Sequence, residues 1–177
     1  MSSLARANSP LTYEAPDVSV CLEDSYVVSP LQAGMLFHSL YVPHQPMYIR
    51  QIMLVLREAV NVPALKEAWR LQFKRHPILR SSLRWEGLKE PVQEVFTNVE
   101  LPFEQYDWRT VHPDDYEDRF RDLLQQEKRQ GFAFSTAPLM RLKLICLNDA
   151  DFRLVWTYHH ILSDGYSDVL TIREVFE

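Results

Sequence analysis

The residues best equipped for chemistry in this 177-residue sequence are two adjacent histidines, His159 and His160, followed by Asp164 and Gly165. A neutral imidazole accepts or guides a proton near neutral pH. Backbone N–H groups at the start of a helix stabilise negative charge. If a helix follows Gly165, the stretch predicts a site that handles a proton and tolerates a developing anion.

A strand must deliver these histidines. Residues 151–158 place aromatic and aliphatic side chains at every second position, which is typical of a strand. If the alternation continues, His159 and His160 point to opposite faces of the sheet. Only one of the two rings can therefore face a given pocket.

The loop after the histidines carries the signals of a turn and of a helix start. Gly165 allows the backbone to turn without a Cβ penalty. Ser163 or Asp164 can cap a helix that begins near Tyr166. The segment is therefore predicted to be a strand, a tight loop and a helix.

Two other interpretations compete with catalysis. A histidine on a strand is usually a structural residue with satisfied hydrogen bonds. Two histidines and Asp164 could instead form a facial triad around iron. We do not favour a metal, because adjacent histidines on opposite strand faces chelate one ion poorly and no third-ligand motif stands out elsewhere.

Three stretches occur in the order expected of one known family. Residues 159–165 match the HHxxxDG motif of the condensation domains of nonribosomal peptide synthetases. They also resemble the shorter HxxxDG of the chloramphenicol-acetyltransferase-like acyltransferases. Residues 29–38 resemble the first core motif of the condensation domains, and residues 75–83 resemble the second, RHxxLRTxF.

The sequence departs from these motifs in three places. Tyr166 stands where a tryptophan or another large apolar residue often follows the glycine. Ser81 replaces the usual threonine of the second motif, and Leu83 replaces its phenylalanine. These exchanges keep polarity or bulk, so the chain is identified as a member of the family.

The resemblance implies an α/β fold with a mixed sheet flanked by helices, the chloramphenicol-acetyltransferase-like lobe that forms half of a two-lobed condensation domain. The order of elements agrees, since helices alternate with strands early and a hairpin comes late. We expect residues 1–22 to be a linker or flexible N-terminal arm and residues 23–177 to be the N-terminal lobe, ending after the HHxxxDG motif.

Capping signals and periodicity predict the remaining elements. Ser29, Pro30 and Gln32 form the start of a helix with a capping box, and Asn61 caps a second helix. The predicted helices span residues 29–41, 61–76 and 113–130, and the predicted strands span 48–57, 78–85, 91–96, 140–146 and 152–159, with 101–108 extended but irregular.

The resemblance also assigns roles within the motif. It implies peptide-bond formation, in which the amine of an acceptor aminoacyl thioester attacks a donor thioester. His160 is the predicted catalytic residue, either as general base or by positioning the amine, and His159 supports the strand and loop. Asp164 is expected to be structural and held by an arginine, for which Arg80 is our choice, with Arg75 or an arginine of the missing lobe as the alternatives. Gly165 lets the backbone approach the substrate.

The implied partners are those of a synthetase assembly line. The family binds no cofactor directly, since both substrates are phosphopantetheine thioesters on upstream and downstream peptidyl carrier domains. An adenylation domain acts in the same assembly line, and the C-terminal lobe completes the domain. We expect the isolated lobe to be inactive and to self-associate through the interface left exposed.

Other functions are possible within and outside this chemistry. A related acyltransferase or an epimerisation member would share the fold, whereas the cyclising type carries aspartate where His159 and His160 stand. A non-catalytic module that docks a carrier or a tailoring enzyme is a different class. The intact His160 argues against it.

The composition limits the kinds of partner and the cellular compartment that we expect. An apolar fraction of 46% suits one domain with a core, and a net charge of −5 with mixed signs gives no reason to expect a nucleic-acid partner. The apolar runs are shorter than a membrane span, and the N-terminus lacks a signal-peptide layout. Cys21 and Cys146 are isolated and expected to be reduced, so we predict a cytoplasmic protein.

Overall fold

The computed structural model describes residues 20–43 and 45–177, which form seven strands and four α-helices. The strands are β1 (Cys21–Val27), β2 (Ile49–Leu56), β3 (Ser81–Arg84), β4 (Val92–Thr97), β5 (Phe103–Asp107), β6 (Met140–Asn148) and β7 (Asp151–His159). The helices are α1 (Pro30–Tyr41), α2 (Val62–Arg75), α3 (Tyr116–Gln130) and α4 (Gly165–Phe176). None of these helices combines the length and apolar character of a membrane span.

The strands form two sheets. The larger has the order β2-β7-β6-β5, in which β5 and β6 are parallel and the other neighbours are antiparallel. The smaller is antiparallel, with the order β1-β4-β3. Strand β7 lies inside the larger sheet with a partner on each side. Its backbone groups are therefore paired along its length, which fixes the position of its last residues.

Helices cover both faces of the larger sheet. On one face Trp156 of β7 packs against Trp69 of α2, with ring centroids 5.2 Å apart and both side chains fully buried. On the other face Val155 and Ile145 pack with Phe120 of α3. The fold is therefore the predicted mixed sheet with flanking helices, in which alternate residues of β7 enter two different hydrophobic clusters.

Two helix starts follow from the capping residues named in the sequence. The Ser29 hydroxyl accepts from the Gln32 N–H at 3.2 Å, and the Ser29 N–H donates to the Gln32 side chain at 3.0 Å. The Asn61 side chain accepts from the Ala64 N–H at 3.1 Å. Both predicted caps are confirmed, because short-range hydrogen bonds of this kind depend on the local sequence alone.

Three segments differ from the prediction. Strand β1 includes Cys21 and Leu22, which we placed in the N-terminal arm, while residues 1–19 lie outside the described residues. Every residue of β1 is exposed, so no buried face marks it in the sequence, and its pairing with β4 makes it a strand. Residues 77–80 form a 3₁₀ turn instead of the start of a strand. Strand β5, expected to be irregular, is ordered by parallel pairing with β6.

Candidate active site

The end of β7 is held from both sides. The His159 N–H donates to the Leu139 carbonyl at 3.0 Å, and the His160 N–H donates to the Tyr48 carbonyl at 2.8 Å. In the loop that follows, the Leu162 N–H donates to the His159 carbonyl at 3.0 Å. These bonds fix the backbone of the histidine pair and of the loop that follows, so the two rings have defined directions.

The His160 ring makes a hydrogen bond that determines its tautomer. Its Nδ1 lies 2.7 Å from the Ser163 carbonyl oxygen. A carbonyl oxygen only accepts, so Nδ1 carries the hydrogen and Nε2 of the neutral ring keeps its lone pair. The basic nitrogen of His160 is therefore Nε2.

His160 is partly exposed and borders an open cavity of about 360 Å³. The other residues around this cavity come from α1 and from the turn just before β2: Pro30, Leu31, Gly34, Met35, His38 and Tyr48. Within it, His38 Nδ1 and the Tyr48 hydroxyl are 2.9 Å apart. No chemical role was expected for His38 from the sequence, although it belongs to the first motif. A second imidazole thus lies in the cavity that His160 borders.

His159 is in a different environment. Its side chain is 1% exposed, its Nδ1 accepts from the Ile161 N–H at 3.2 Å, and its Nε2 lies 3.3 Å from the Ser39 hydroxyl. This is the opposite tautomer, with hydrogen on Nε2. Burial lowers the pKa of His159 to about 4, and the charge of His160 acts in the same direction. The ring borders a separate cavity of about 620 Å³, so the two histidines face different spaces, as the alternation predicted.

The alternative of a metal centre gains no support from these contacts. Each Nδ1 is engaged by a backbone group, and the two rings border separate cavities. Across the part of the chain that the structure describes, no group of three or more histidine, cysteine, aspartate or glutamate side chains is arranged to hold an ion.

Asp164 is the residue that caps α4. Its carboxylate accepts from the Ser167 N–H at 2.8 Å. That backbone hydrogen bond is the main reason the pKa of the Asp164 carboxyl lies below its usual value. The side chain is exposed, and its role in the lobe is to start the helix beside His160.

In this lobe Arg80 and Arg75, our candidates for the arginine that holds Asp164, have other partners. The Arg80 guanidinium donates to the Phe73 carbonyl at 3.0 Å and the Phe96 carbonyl at 2.7 Å, and it forms an ion pair with Glu23. It therefore braces the smaller sheet against the end of α2.

Arg75 instead lies 3.7 Å from Glu174. Glu174 is near the C-terminal end of α4, whereas Asp164 is at its N-terminus, and at 1.5 Å per residue the two are about 15 Å apart along the helix. The types of the side chains suggested that an arginine pairs with an acid of this segment. The direction of α4 relative to α2 decides that Arg75 lies near Glu174.

Gly165 does not provide the turn that we expected. It is the first residue of α4, and it does not adopt a positive φ, unlike Gly87 and Gly131. A Cβ built on Gly165 meets nothing within 4 Å. The lobe itself therefore does not require a glycine at this position, neither for backbone conformation nor for packing.

One acid close to the loop was missed in the sequence. Asp168, in the first turn of α4, is 3% exposed and accepts from the Ser163 hydroxyl at 2.6 Å and from the Tyr158 hydroxyl. Its position in the sequence could have indicated this place. Asp168 follows the capping Asp164 by four residues, and side chains four residues apart lie on the same face of a helix.

Comparison with known proteins gives consistent results. The chain matches the family model described as condensation domain over residues 22–177. It is 40% identical over 156 residues to one of the linear gramicidin synthase subunits of Brevibacillus parabrevis, covering 88% of this chain and 2% of that protein. It is 32% identical over 155 residues to bacitracin synthase 1 of Bacillus licheniformis, covering 88% of this chain and 3% of that protein.

Solved structures share the fold. The starter condensation domain of rhizomide synthetase RzmA matches with a TM-score of 0.76 at 19% identity, over 86% of this chain and 38% of that chain. A four-domain nonribosomal peptide synthetase bound to AMP and glycine matches with a TM-score of 0.77 at 19% identity, over 90% of this chain and 12% of that chain. The chain thus spans a small part of the curated relatives and less than half of the solved condensation domain. Because the family model matches from residue 22 to residue 177, this chain belongs to the condensation-domain family of the nonribosomal peptide synthetases.

Proposed function

We propose that this chain forms the part of a condensation domain that carries the catalytic histidine. In the complete domain the amine of an acceptor aminoacyl thioester attacks the carbonyl of a donor thioester. The single observation that most supports this function is the His160 ring. Its Nδ1 is bonded to the Ser163 carbonyl at 2.7 Å, which leaves the lone pair of Nε2 available beside an open cavity.

The reaction needs a proton to move and no external reactant. The amine nitrogen forms a bond to the thioester carbon, the carbon–sulfur bond breaks, and the amine proton leaves with the released thiol. An α-amine has a pKa of about 8, so about a tenth is neutral at pH 7. The site must therefore add orientation, a route for the proton and stabilisation of the oxyanion. His160 Nε2 supplies the first two, whether it removes the proton fully or aligns the amine through a hydrogen bond.

The other motif residues have supporting roles in this proposal. His159 stays neutral and buried and braces the loop through the Ile161 N–H. Asp164 caps α4 and does not serve as the acid of a triad, because its carboxylate binds the Ser167 N–H, 2.8 Å away. Gly165 leaves open the space that a Cβ would enter, and we propose that substrate backbone or thioester approaches there.

The partners proposed for this site follow from its chemistry. Upstream and downstream peptidyl carrier domains present the two thioesters on phosphopantetheine arms, an adenylation domain loads them, and the second lobe of the domain closes the channel. No cofactor binds the chain directly in this scheme. Cytoplasmic location remains our prediction from the sequence.

The test is the formation of dipeptidyl thioester by the complete condensation domain with loaded carriers. His160→Ala is expected to lower kcat by about 10²- to 10⁴-fold, the usual contribution of a positioned acid or base. His112→Ala, at an exposed histidine far from the motif in sequence, is the matched control and should leave the rate unchanged. An unchanged rate with His160→Ala would refute the role of the ring. The 177-residue chain alone is expected to give no product.

A further inference from the structure

A buried carboxylate lies behind the histidine loop and has no role in the proposed reaction. Asp168 is 3% exposed, although a carboxylate is rarely buried unless it is paired or hydrogen-bonded. Both of its oxygens are used. Oδ1 accepts from the Ser163 hydroxyl at 2.6 Å, and Oδ2 accepts from the hydroxyl of Tyr158, which is fully buried.

These contacts join three elements that meet at His160. Tyr158 is near the end of β7, two positions before the catalytic ring. Ser163 is in the loop, and Asp168 is in α4. The carboxylate therefore ties the strand, the loop and the helix together at one point, through the fully buried hydroxyl of Tyr158 and the partly buried hydroxyl of Ser163.

The same serine reaches the catalytic ring through its backbone. The Ser163 carbonyl accepts from His160 Nδ1 at 2.7 Å while its hydroxyl donates to Asp168 at 2.6 Å. The hydroxyl also lies 3.3 Å from the Asp164 carbonyl, a longer and weaker alternative. If Asp168 were absent, the hydroxyl would lose its shorter partner and the residue would be free to turn. The direction of the Ser163 carbonyl thus depends on Asp168.

We propose that Asp168 is a positioning residue: through Ser163 it holds the hydrogen of His160 on Nδ1 and so keeps the lone pair on Nε2, facing the cavity. Its effect on turnover rests on the proposed function of His160, but its effect on the tautomer does not. Tyr158, which donates to Asp168, has a pKa that is raised first by burial and then by Asp168. Arg50 of the neighbouring β2 acts in the opposite direction on the pKa of that hydroxyl.

The first experiment reads the tautomer by ¹⁵N NMR of the imidazole rings in this chain at neutral pH. The wild-type His160 ring should show a protonated Nδ1 and an unprotonated Nε2. Asp168→Ala should shift the ring toward a mixture with hydrogen on Nε2. Asp168→Asn keeps an oxygen that can accept from the Ser163 hydroxyl, so this variant should show the wild-type tautomer. If the negative charge itself were what mattered, Asp168→Asn would behave like Asp168→Ala.

The matched control is Thr171→Val, one turn further along the same helix. Thr171 is also buried and polar, but its hydroxyl donates to the Ser167 carbonyl at 2.9 Å and does not contact the loop. This variant should keep the wild-type tautomer. Backbone ¹H–¹⁵N spectra establish that each variant is folded. A folded Asp168→Ala chain with an unchanged His160 tautomer would overturn the proposal.

The second experiment measures kinetics in the complete condensation domain. Asp168→Ala should lower kcat by about ten- to a hundredfold, the size of effect known for groups that orient metal-binding imidazoles, with little change in KM. Ser163→Ala should give a similar loss, and the double variant should lose no more than either single one, because both act through one chain of contacts. If the losses in kcat of the two single variants multiply in the double variant, Asp168 and Ser163 act independently and the proposal is contradicted. If His160→Ala is fully active, the proposed function fails, while the tautomer measurement still decides the role of Asp168.

Discussion

The two histidines of the motif are adjacent in sequence but differ in burial and in tautomer. His159 is buried, carries its hydrogen on Nε2 and accepts a backbone N–H on Nδ1. His160 borders open space and carries its hydrogen on Nδ1. Because a strand sends consecutive side chains to opposite faces, one ring is enclosed by the fold and the other remains available for the proposed chemistry.

This division predicts how acid destabilises the lobe. The pKa of His159 falls from 6.5 to about 4 on folding, so the unfolded chain binds more protons between these values. The stabilisation is fully present above pH 6.5 and is lost as the pH falls toward 4. The difference corresponds to about 3 kcal/mol at most. We expect the free energy of unfolding, measured with urea, to fall less steeply between pH 6.5 and 4.5 in His159→Gln than in the wild type.

His112→Gln is the control for this measurement, since His112 is exposed. The free energy of unfolding of this variant should fall with pH as steeply as that of the wild type, because both proteins keep His159 and the same carboxylates. Parallel curves for all three proteins would show that His159 contributes nothing to the pH dependence.

At the scale of elements, one helix is fastened to the larger sheet by a buried charge. Glu127 of α3 is 1% exposed and binds Arg141 at 2.8 Å and Lys143 at 2.9 Å, both on β6. Burial alone would lower the pKa of Lys143, but hydrogen bonds to Tyr106, Glu127 and Glu104 outweigh it and raise the pKa. The ammonium therefore stays charged, and the ion cluster holds α3 in register with β6.

Removing Glu127 should be costly. Glu127→Ala removes the partner shared by buried Lys143 and partly buried Arg141. Breaking a buried ion pair costs about 3 to 5 kcal/mol, which is the upper bound here because Lys143 keeps Glu104 at 3.0 Å. Glu117→Ala, at an exposed position of the same helix, should change stability by about 0.5 kcal/mol or less. Urea unfolding of the two variants and the wild type measures both effects. Equal stabilities for the two variants would mean that the buried cluster adds no net stability.

At the scale of the whole molecule, two helices near the candidate site expose large apolar side chains. Helix α1 exposes Leu31, Phe37 and Tyr41, with Leu31 bordering the cavity of His160. Helix α4, which begins just after the histidine loop, exposes Tyr166 and Val169. Exposed apolar surface of this kind marks interaction sites in soluble proteins. It agrees with the proposal that a second lobe covers this side.

The chain by itself should therefore self-associate. We expect the average mass in sedimentation equilibrium to rise with protein concentration, and Val169→Asp to reduce that rise by placing a charge in the contact. Leu71→Asp, at an exposed apolar position of α2, is the control and should leave the association unchanged. A monomer at every concentration would contradict this prediction.

Local signals in the sequence were sufficient for several features of this protein. The caps at Ser29 and Asn61 depend on neighbours within three residues, so they could be predicted from the sequence. The alternation in residues 151–158 predicted a strand and the opposite directions of His159 and His160, since strand geometry has a period of two. That both faces of β7 are buried was visible only in the structure. The ordered motifs identified the family.

Contacts between distant parts of the chain were decided only by the tertiary structure. Arg80 binds Glu23 and two backbone carbonyls, because the 3₁₀ turn before β3 directs it toward the smaller sheet and away from Asp164. Glu127 is buried because two cations of β6 lie beneath α3. The sequence alone thus determined the local elements, the family and the histidine pair. The pairing of charges required the fold, because any acid can meet any base until the directions of the helices are set.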